Sequence, residues 1–150
     1  MRKLYLAHPF PSRKRMRVWE LRIEKKLGIE FLNPFYDSEQ RTLLHQLNEG
    51  TITVEQYYNH PLMTPKVCIE RDLGLIKEAD GILACIDGNV TVGTIMEIVY
   101  AATVYKKPVF IVVTNGKEYH PWLRYHATEL FTSLKEFSRW LKRQKNTLRS

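Results

Sequence analysis

Five short apolar runs, separated by longer polar or amphipathic segments, place the strongest constraint on the fold of this chain. The clearest is the run at 109–113, which follows directly after Lys107 and Pro108. The other runs occupy 4–7 and 81–86, and two weaker ones, at 29–32 and 129–132, each include one glutamate. Short runs that are apolar at successive positions predict strands buried on both faces of a sheet.

Segments with helical periodicity lie between these strands. Ser12 is placed to cap a helix that runs to about Leu27 and is closed by Gly28. Further helices are predicted at 66–79, at 93–105, in a short stretch ending near 124, and after a capping serine at 133. This alternation predicts an α/β fold, a flavodoxin-like or Rossmann-like doubly wound parallel sheet of about five strands.

The composition suits one small domain. The chain has 150 residues, of which 44% are hydrophobic, so we expect a single domain over 1–150. No apolar run approaches the length of a membrane span and no secretory leader is recognisable, so we expect a cytoplasmic protein with no membrane partner. Cys68 and Cys85 are expected to be reduced core thiols.

The net charge of +7 is concentrated in two clusters of basic residues, at 13–17 and 139–149. Each cluster falls on a predicted helix, and basic residues on a helix are commonly a solvated face. We therefore expect no nucleic-acid partner. Neither a Gly-x-Gly-x-x-Gly segment after the first strand nor a Walker lysine motif is present, which weakens the usual dinucleotide and triphosphate interpretations.

In doubly wound folds, ligands bind beyond the carboxyl ends of the strands. This rule selects the loops that begin at His8, Asn33, Asp87 and Thr114. The segment 35–65 has weak periodicity apart from a possible short helix after Thr53. Thirty residues of that kind in a compact domain predict a functional excursion such as a lid or rim.

Asp72 lies at an unusual place for a carboxylate. On a helix it projects between Cys68, Ile76 and Ala79, in the middle of an apolar face. Burial would raise the pKa of such a group and suit it to protonating a leaving group. The alternative is a structural aspartate bonded to neighbouring backbone amides.

Glu97 is the only acidic residue of the predicted helix 93–105, which is apolar nearly all round and therefore expected to be buried. Its position in the first turns places it near the positive end of the helix dipole, which favours an ionised carboxylate with the character of a nucleophile. The alternative is a carboxylate that caps its own helix end. Gly88 and Gly93 bracket the preceding loop, where Asp87 and Asn89 offer polar side chains to a ligand.

Three segments together give the chain a resemblance to a known family. They are 5–10 (YLAHPF), 70–80 (ERDLGLIKEAD) and 93–97 (GTIME), the last followed by Ala101 and Lys107-Pro108. In this order and combination they resemble the nucleoside 2-deoxyribosyltransferase family, which includes related nucleoside 5'-monophosphate N-glycosidases.

The resemblance implies a flavodoxin-like fold and a role for several residues. Glu97 matches the glutamate that attacks the anomeric carbon, and Asp72 matches the aspartate that handles the proton of the departing base. Tyr5 matches an aromatic residue that orients the nucleophile, while His8 and Phe10 fall at the substrate pocket. Members need no metal and no organic cofactor, act on a nucleoside or nucleotide, and complete their sites with neighbouring subunits, so we expect a homo-oligomer.

The chain departs from the family pattern at two places. Thr91 stands where the family usually has a substrate-contacting aspartate, for which Asp87 is the candidate replacement. The segment 119–123 replaces an asparagine-containing segment of the family, and His120 is the candidate substitute there, with a plain loop histidine as the alternative.

Three functions therefore follow from the sequence. The first is transfer of deoxyribose between bases. The second is hydrolysis of a nucleoside 5'-monophosphate, in which Arg13 and Lys14 would hold the phosphate. The third is a nucleotide-binding domain without turnover.

Overall fold

A computed structural model describes residues 1–89 and 92–147. Its five strands are β1 (Lys3–Ala7), β2 (Glu30–Leu32), β3 (Gly81–Ile86), β4 (Val109–Val113) and β5 (Glu129–Phe131). They form one sheet in the order β2-β1-β3-β4-β5, and every neighbouring pair is parallel. The doubly wound, flavodoxin-like α/β fold predicted from the sequence is thereby confirmed.

Seven α-helices accompany the strands in the described part of the chain. They are α1 (Arg13–Leu27), α2 (Arg41–Glu49), α3 (Val54–Tyr58), α4 (Pro65–Glu78), α5 (Val92–Val99), α6 (Pro121–His126) and α7 (Leu134–Thr147). None of the helices in the ranges 1–89 and 92–147 combines the length and apolar character needed to cross a bilayer.

The helices cover the sheet from both sides. One core packs α1 and α7 against the sheet through residues such as Trp19 and Phe137. The other packs α4, α5 and α6 against the opposite face through Ile76, Ile98 and Leu123. Because consecutive side chains of a strand point to opposite faces, strands covered in this way must be apolar throughout. That requirement explains the apolar runs of the sequence.

Two of the three predicted helix caps are confirmed, and the third is wrong. Gly28 adopts φ 59° and ends α1 as expected, and the Ser133 hydroxyl accepts a hydrogen bond from the Glu136 amide at 3.1 Å. Ser12 makes no side-chain cap on α1. Its hydroxyl instead donates to Oδ2 of Asp87 at 2.5 Å, which ties the start of α1 to the loop after β3.

The helix predicted at 93–105 differs from the structure in two respects. After α5 the chain changes to one turn of π-helix, Tyr100–Val104. The expectation that it is buried on all sides is wrong, because Ile95, Met96 and Val104 are exposed on its outer side. The prediction failed because a helix that exposes apolar residues on its outer side has the same sequence pattern as a helix buried on all sides.

Candidate active site

A cavity of about 270 Å³ opens beyond the carboxyl ends of β1 and β2 and at the first turns of α5. This is where ligands bind in folds of this topology. Residues from four parts of the chain line it: Ala7, His8, Pro9 and Phe10 after β1; Pro34, Phe35 and Gln40 after β2; Tyr58 and Asp72 from α3 and α4; and Val92, Gly93, Thr94 and Glu97 from α5.

Glu97 is held in this cavity by Tyr5. The phenol of Tyr5, fully buried in β1, donates a hydrogen bond to Oε1 of Glu97 at 2.7 Å. The hydrogen bond joins the first strand to α5 across 92 residues of sequence. Glu97 therefore bonds to a different element, which argues against the alternative that it caps its own helix.

Burial decides the protonation of Glu97. The pKa of this carboxyl is raised to about 8, chiefly by burial. The hydrogen bond from Tyr5 and the positive charge of Arg71 lower the pKa, while the negative charge of Asp72 raises it. From the sequence, the helix dipole was expected to keep Glu97 ionised. That expectation is corrected by the structure, since the cost of placing a charge in the buried site outweighs the favourable groups around it.

Asp72 lines the same cavity from α4. Burial raises the pKa of its carboxyl, as the apolar helix face predicted, and the neighbouring Arg71 guanidinium lowers it. The Arg71 Nε donates to Oδ1 of Asp72 at 3.0 Å. Asp72 is thus partnered by a guanidinium and not by the backbone amides that the structural alternative required. Glu97 and Asp72 form a pair of partly buried carboxyl groups, both with raised pKa, and such a pair keeps a proton to a higher pH than two fully exposed carboxyl groups do.

Aromatic rings form one wall of the cavity. Phe10 packs against Phe35 at a centroid distance of 5.6 Å and against Tyr58 at 5.9 Å. Phe35 and Tyr58 belong to the segment predicted as a lid or rim, which the structure places on the cavity. Phe10 was predicted to line the pocket, whereas Phe35 and Tyr58 were not predicted individually, and their only signal was aromatic character inside a polar stretch.

Gln40 is a further lining residue that the sequence analysis missed. It is buried, its Nε2 donates to the Pro34 carbonyl at 2.5 Å, and its Oε1 accepts from the Tyr57 phenol at 2.6 Å. Both ends of the amide therefore hold the excursion together, so that the aromatic wall is fixed in place.

His8 lines the cavity that holds Glu97, as expected, and its environment keeps the imidazole neutral. Burial lowers the pKa of the imidazole. Its Nδ1 lies 3.0 Å from the Pro9 carbonyl oxygen, which can only accept, so Nδ1 carries the hydrogen. Nε2 then accepts from the Asn33 side-chain amide at 3.4 Å, and the same amide donates to Glu20 at 2.8 Å.

Of the other predicted site residues near the loop after β3, only some line the cavity. Gly93 lines the cavity. Asp87 and Asn89 do not, because Asp87 accepts from Ser12 and from the backbone and side chain of Asn89 at 2.8 and 2.9 Å. These bonds help to lower the pKa of Asp87. Thr91 lies outside the described residues.

His120 lines a second cavity, of about 380 Å³, between α5 and α6. Its Nδ1 accepts from the Trp122 amide at 3.3 Å and so caps the start of α6. The apolar lining of this second cavity includes Ile86, Ile95 and Leu123. Within one chain, the structure does not bring His120 to the cavity that holds Glu97.

The basic residues proposed for a phosphate, Arg13 and Lys14, do not line the Glu97 cavity. The Arg13 guanidinium packs over the Phe10 ring at 4.0 Å and donates to the Asn48 side chain at 3.0 Å. Lys14 is exposed on α1. Among the described residues that line the cavity there is no lysine or arginine. Nor do the described ranges contain a group of three or more His, Cys, Asp or Glu side chains able to hold a metal ion.

Comparison with known proteins gives matches in structure only. No protein-family model matches the chain, and no curated protein matches its sequence. A 2-deoxyribosyltransferase from Bacillus psychrosaccharolyticus is 22% identical, with a TM-score of 0.63 over 91% of this chain and 90% of that one. A CMP N-glycosidase from Clostridium botulinum is 19% identical, with a TM-score of 0.57 over 94% and 98%.

A third solved structure, a conserved protein from Enterococcus faecalis V583, is 15% identical, with a TM-score of 0.66 over 96% of this chain and 99% of the other. At these identities the likeness shows a common fold over nearly the whole length of each chain.

Proposed function

We propose that this protein is a nucleoside 2-deoxyribosyltransferase, which cleaves the N-glycosidic bond of a 2'-deoxyribonucleoside and transfers the sugar to another base. The hydrogen bond between Tyr5 and Glu97 at the wall of a cavity that also contains Asp72 carries this proposal. The resemblance of the three sequence segments and the fold shared with a 2-deoxyribosyltransferase support it.

In the first step, the Glu97 carboxylate attacks C1' of the deoxyribose. A carbon–oxygen ester bond forms as the carbon–nitrogen bond breaks, and the electron pair of that bond passes to the base nitrogen. Asp72 donates its proton to the departing base. In the second step, a nitrogen of the incoming base attacks C1', its proton returns to Asp72, and Glu97 leaves as a carboxylate. Two displacements at one carbon retain its configuration.

The protonation of the two carboxyl groups suits this sequence of steps. With both pKa values raised, the pair holds one proton near neutral pH. Because the pKa of Glu97 is raised to about 8, the resting proton lies on Glu97. The reaction needs that proton on Asp72 and the negative charge on Glu97, so the proton must pass from Glu97 to Asp72 before the attack. The hydrogen bond from Tyr5 favours this distribution, because it stabilises the Glu97 carboxylate. The Arg71 guanidinium then stabilises the Asp72 carboxylate that forms when the proton has left.

The aromatic wall supports a base as the leaving group. Nucleobases stack on aromatic faces, and Phe10, Phe35 and Tyr58 present three rings on one side of the cavity. The described lining combines two carboxyl groups with no basic side chain. It therefore favours an uncharged nucleoside over the 5'-monophosphate of the hydrolase alternative.

A homo-oligomer is part of the proposal. The outer sides of α5, the π-helical turn and α6 expose Ile95, Met96, Val104, Trp122 and Tyr125, the last two by 69% and 83%. An exposed apolar surface of this extent is typical of an interface between subunits. Sedimentation equilibrium should give a mass above that of one 17.7 kDa chain, and a monomer at micromolar concentration would contradict this part of the proposal.

The test of the proposed function compares products. Deoxyadenosine or deoxyinosine is incubated with a free acceptor base, and the corresponding monophosphate is incubated in parallel. A new nucleoside supports transfer, whereas free sugar phosphate supports the hydrolase. Glu97→Gln should lower turnover by several orders of magnitude and abolish a protein adduct of one deoxyribosyl group in the mass spectrum. The exposed Glu129→Gln is the matched control.

The third function, a nucleotide-binding domain without turnover, would give a different result in these assays. If no product forms from any of these substrates while the wild type and Glu97→Gln bind a nucleoside equally well, Glu97 is not a catalyst. The proposed function would then be wrong.

A further inference from the structure

The two helical layers of the fold differ sharply in charge. Helices α1 and α7, which cover one face of the sheet, together contain twelve Lys and Arg residues and three Asp and Glu residues. On the other face, α4, α5 with its π-helical turn, and α6 contain four of each kind. The excess of basic residues in the α1–α7 layer is larger than the net charge of +7 of the whole chain.

The three acidic residues do little to neutralise this layer. Glu20 is fully buried and accepts from Arg17 and Asn33. Glu24 accepts from the Phe31 amide, and Glu136 accepts from the Thr132 amide. Glu24 and Glu136 keep their negative charges, but two carboxylates cannot offset the twelve basic residues of the two helices, so the layer stays basic.

Most of the basic side chains are free to meet a partner. Four of the twelve are engaged inside the protein, namely Arg13, Arg15, Arg17 and Lys145. The other eight are exposed and have no ion-pair or hydrogen-bond partner within residues 1–89 and 92–147: Lys14, Arg22, Lys25, Lys26, Lys135, Arg139, Lys142 and Arg143.

The two helices present these side chains as one surface. Trp19 of α1 and Phe137 of α7 pack with a centroid distance of 6.3 Å. At the ends of the two helices, the Lys145 ammonium donates to the Gly28 carbonyl at 3.0 Å. The two basic clusters, separated by more than a hundred residues in the sequence, therefore lie on neighbouring helices on one side of the sheet, whose outer surface we call the α1–α7 face.

We propose that the α1–α7 face binds the phosphate backbone of a nucleic-acid duplex without regard to its base sequence. A dense row of phosphates is the anion that matches eight unpaired Lys and Arg side chains on two adjacent helices. In the sequence, each cluster on its own was interpreted as a solvated helix face. Their union in one layer is a property of the fold.

A membrane surface fits the α1–α7 face less well. Helices that lie in a bilayer interface present a broad apolar side to the lipid. Here the apolar sides of α1 and α7 are used in the core, only Val18 and Leu21 are exposed on α1, and α7 exposes no large apolar residue.

The test measures fluorescence anisotropy of labelled 20-base-pair DNA and RNA duplexes of two unrelated sequences over a range of salt concentrations. One variant carries Arg22→Gln, Lys25→Gln, Arg139→Gln and Lys142→Gln. The matched control removes four exposed basic residues elsewhere, by Lys66→Gln, Lys77→Gln, Lys117→Gln and Arg124→Gln. The two variants have the same net charge, and circular dichroism melts establish that both are folded.

The wild type should bind both sequences with similar affinity, and its log Kd should change linearly with log salt. Each contact between a cationic side chain and a phosphate contributes about 0.9 to that slope, so the face variant should lose about 3 to 4 from it. Its affinity at low salt should fall by about tenfold or more, while the control variant stays close to the wild type.

Three outcomes would overturn the proposal. The first is no binding to either duplex at low salt. The second is an equal loss of affinity in both variants, which would reduce the effect to net charge. The third is binding to vesicles containing phosphatidylserine with neither duplex bound, which would make a membrane the partner.

Discussion

Glu97→Gln should make the folded protein more stable while it removes activity. The carboxyl has an ordinary pKa of 4.5, and burial raises it to about 8 in the folded state. The unfolded chain therefore releases a proton that the folded protein retains, and stability contributed by the neutral carboxyl is lost as the pH rises from about 4.5 to 8. Glutamine is uncharged at every pH, so the variant does not lose this stability as the pH rises.

The size of the effect follows from the shift. One pKa unit corresponds to 1.36 kcal/mol, so the free energy of unfolding of the wild type should fall relative to that of Glu97→Gln by about 3 kcal/mol between pH 5 and pH 8. Glu20, whose pKa burial raises to about 7, titrates in both proteins and cancels in the comparison. The hydrogen bond from Tyr5 persists, because the glutamine oxygen still accepts it.

The assay is urea unfolding of the wild type, Glu97→Gln and the exposed control Glu129→Gln at pH 5 and pH 8. Only Glu97→Gln should gain stability over the wild type with rising pH. If the difference between Glu97→Gln and the wild type were the same at both pH values, the carboxyl would not be kept neutral by burial, and the account of the site would be refuted.

Four further substitutions test other parts of the structure. Tyr5→Phe removes the hydrogen bond that lowers the pKa of Glu97, so kcat at pH 7 should fall by about tenfold or more and recover in part at higher pH, as a steady-state pH profile would reveal. Asp72→Asn should reduce kcat by about 10²- to 10⁴-fold, with much smaller losses for substrates whose leaving base needs no proton; equal losses for all substrates would contradict its role as the acid. Gly81→Ala places a methyl group 2.9 Å from a backbone carbonyl oxygen and should lower the free energy of unfolding by about 1 to 3 kcal/mol, whereas Gly74→Ala on α4, with open space around it, should raise that free energy by about 0.5 to 1 kcal/mol in the same denaturation experiment.

The candidate site could be predicted from the sequence only in part. Asp72 and Glu97 were recognisable because a carboxylate on an apolar helix face is visible in the local pattern. The prediction at His8 followed from the rule that sites lie at strand ends, that at Gly93 from the glycines bracketing the loop before α5, and that at Phe10 from the family resemblance. The structure places all three on the cavity wall. Phe35, Gln40 and Tyr58 come from the excursion after β2, whose weak periodicity gave no indication of which side chains turn toward the cavity.

The sequence by itself determined the class of fold and the order of its elements. Strand burial and helical amphipathicity depend on residues within a few positions of each other, so their patterns can be read along the chain. Only the tertiary structure decided that burial raises the pKa of the Glu97 carboxyl, that Asp87 is engaged by Ser12 while His120 caps α6, and that two distant basic clusters lie on one side of the sheet. Each of these depends on groups that packing brings together from segments far apart in the chain, and on how much water that packing removes.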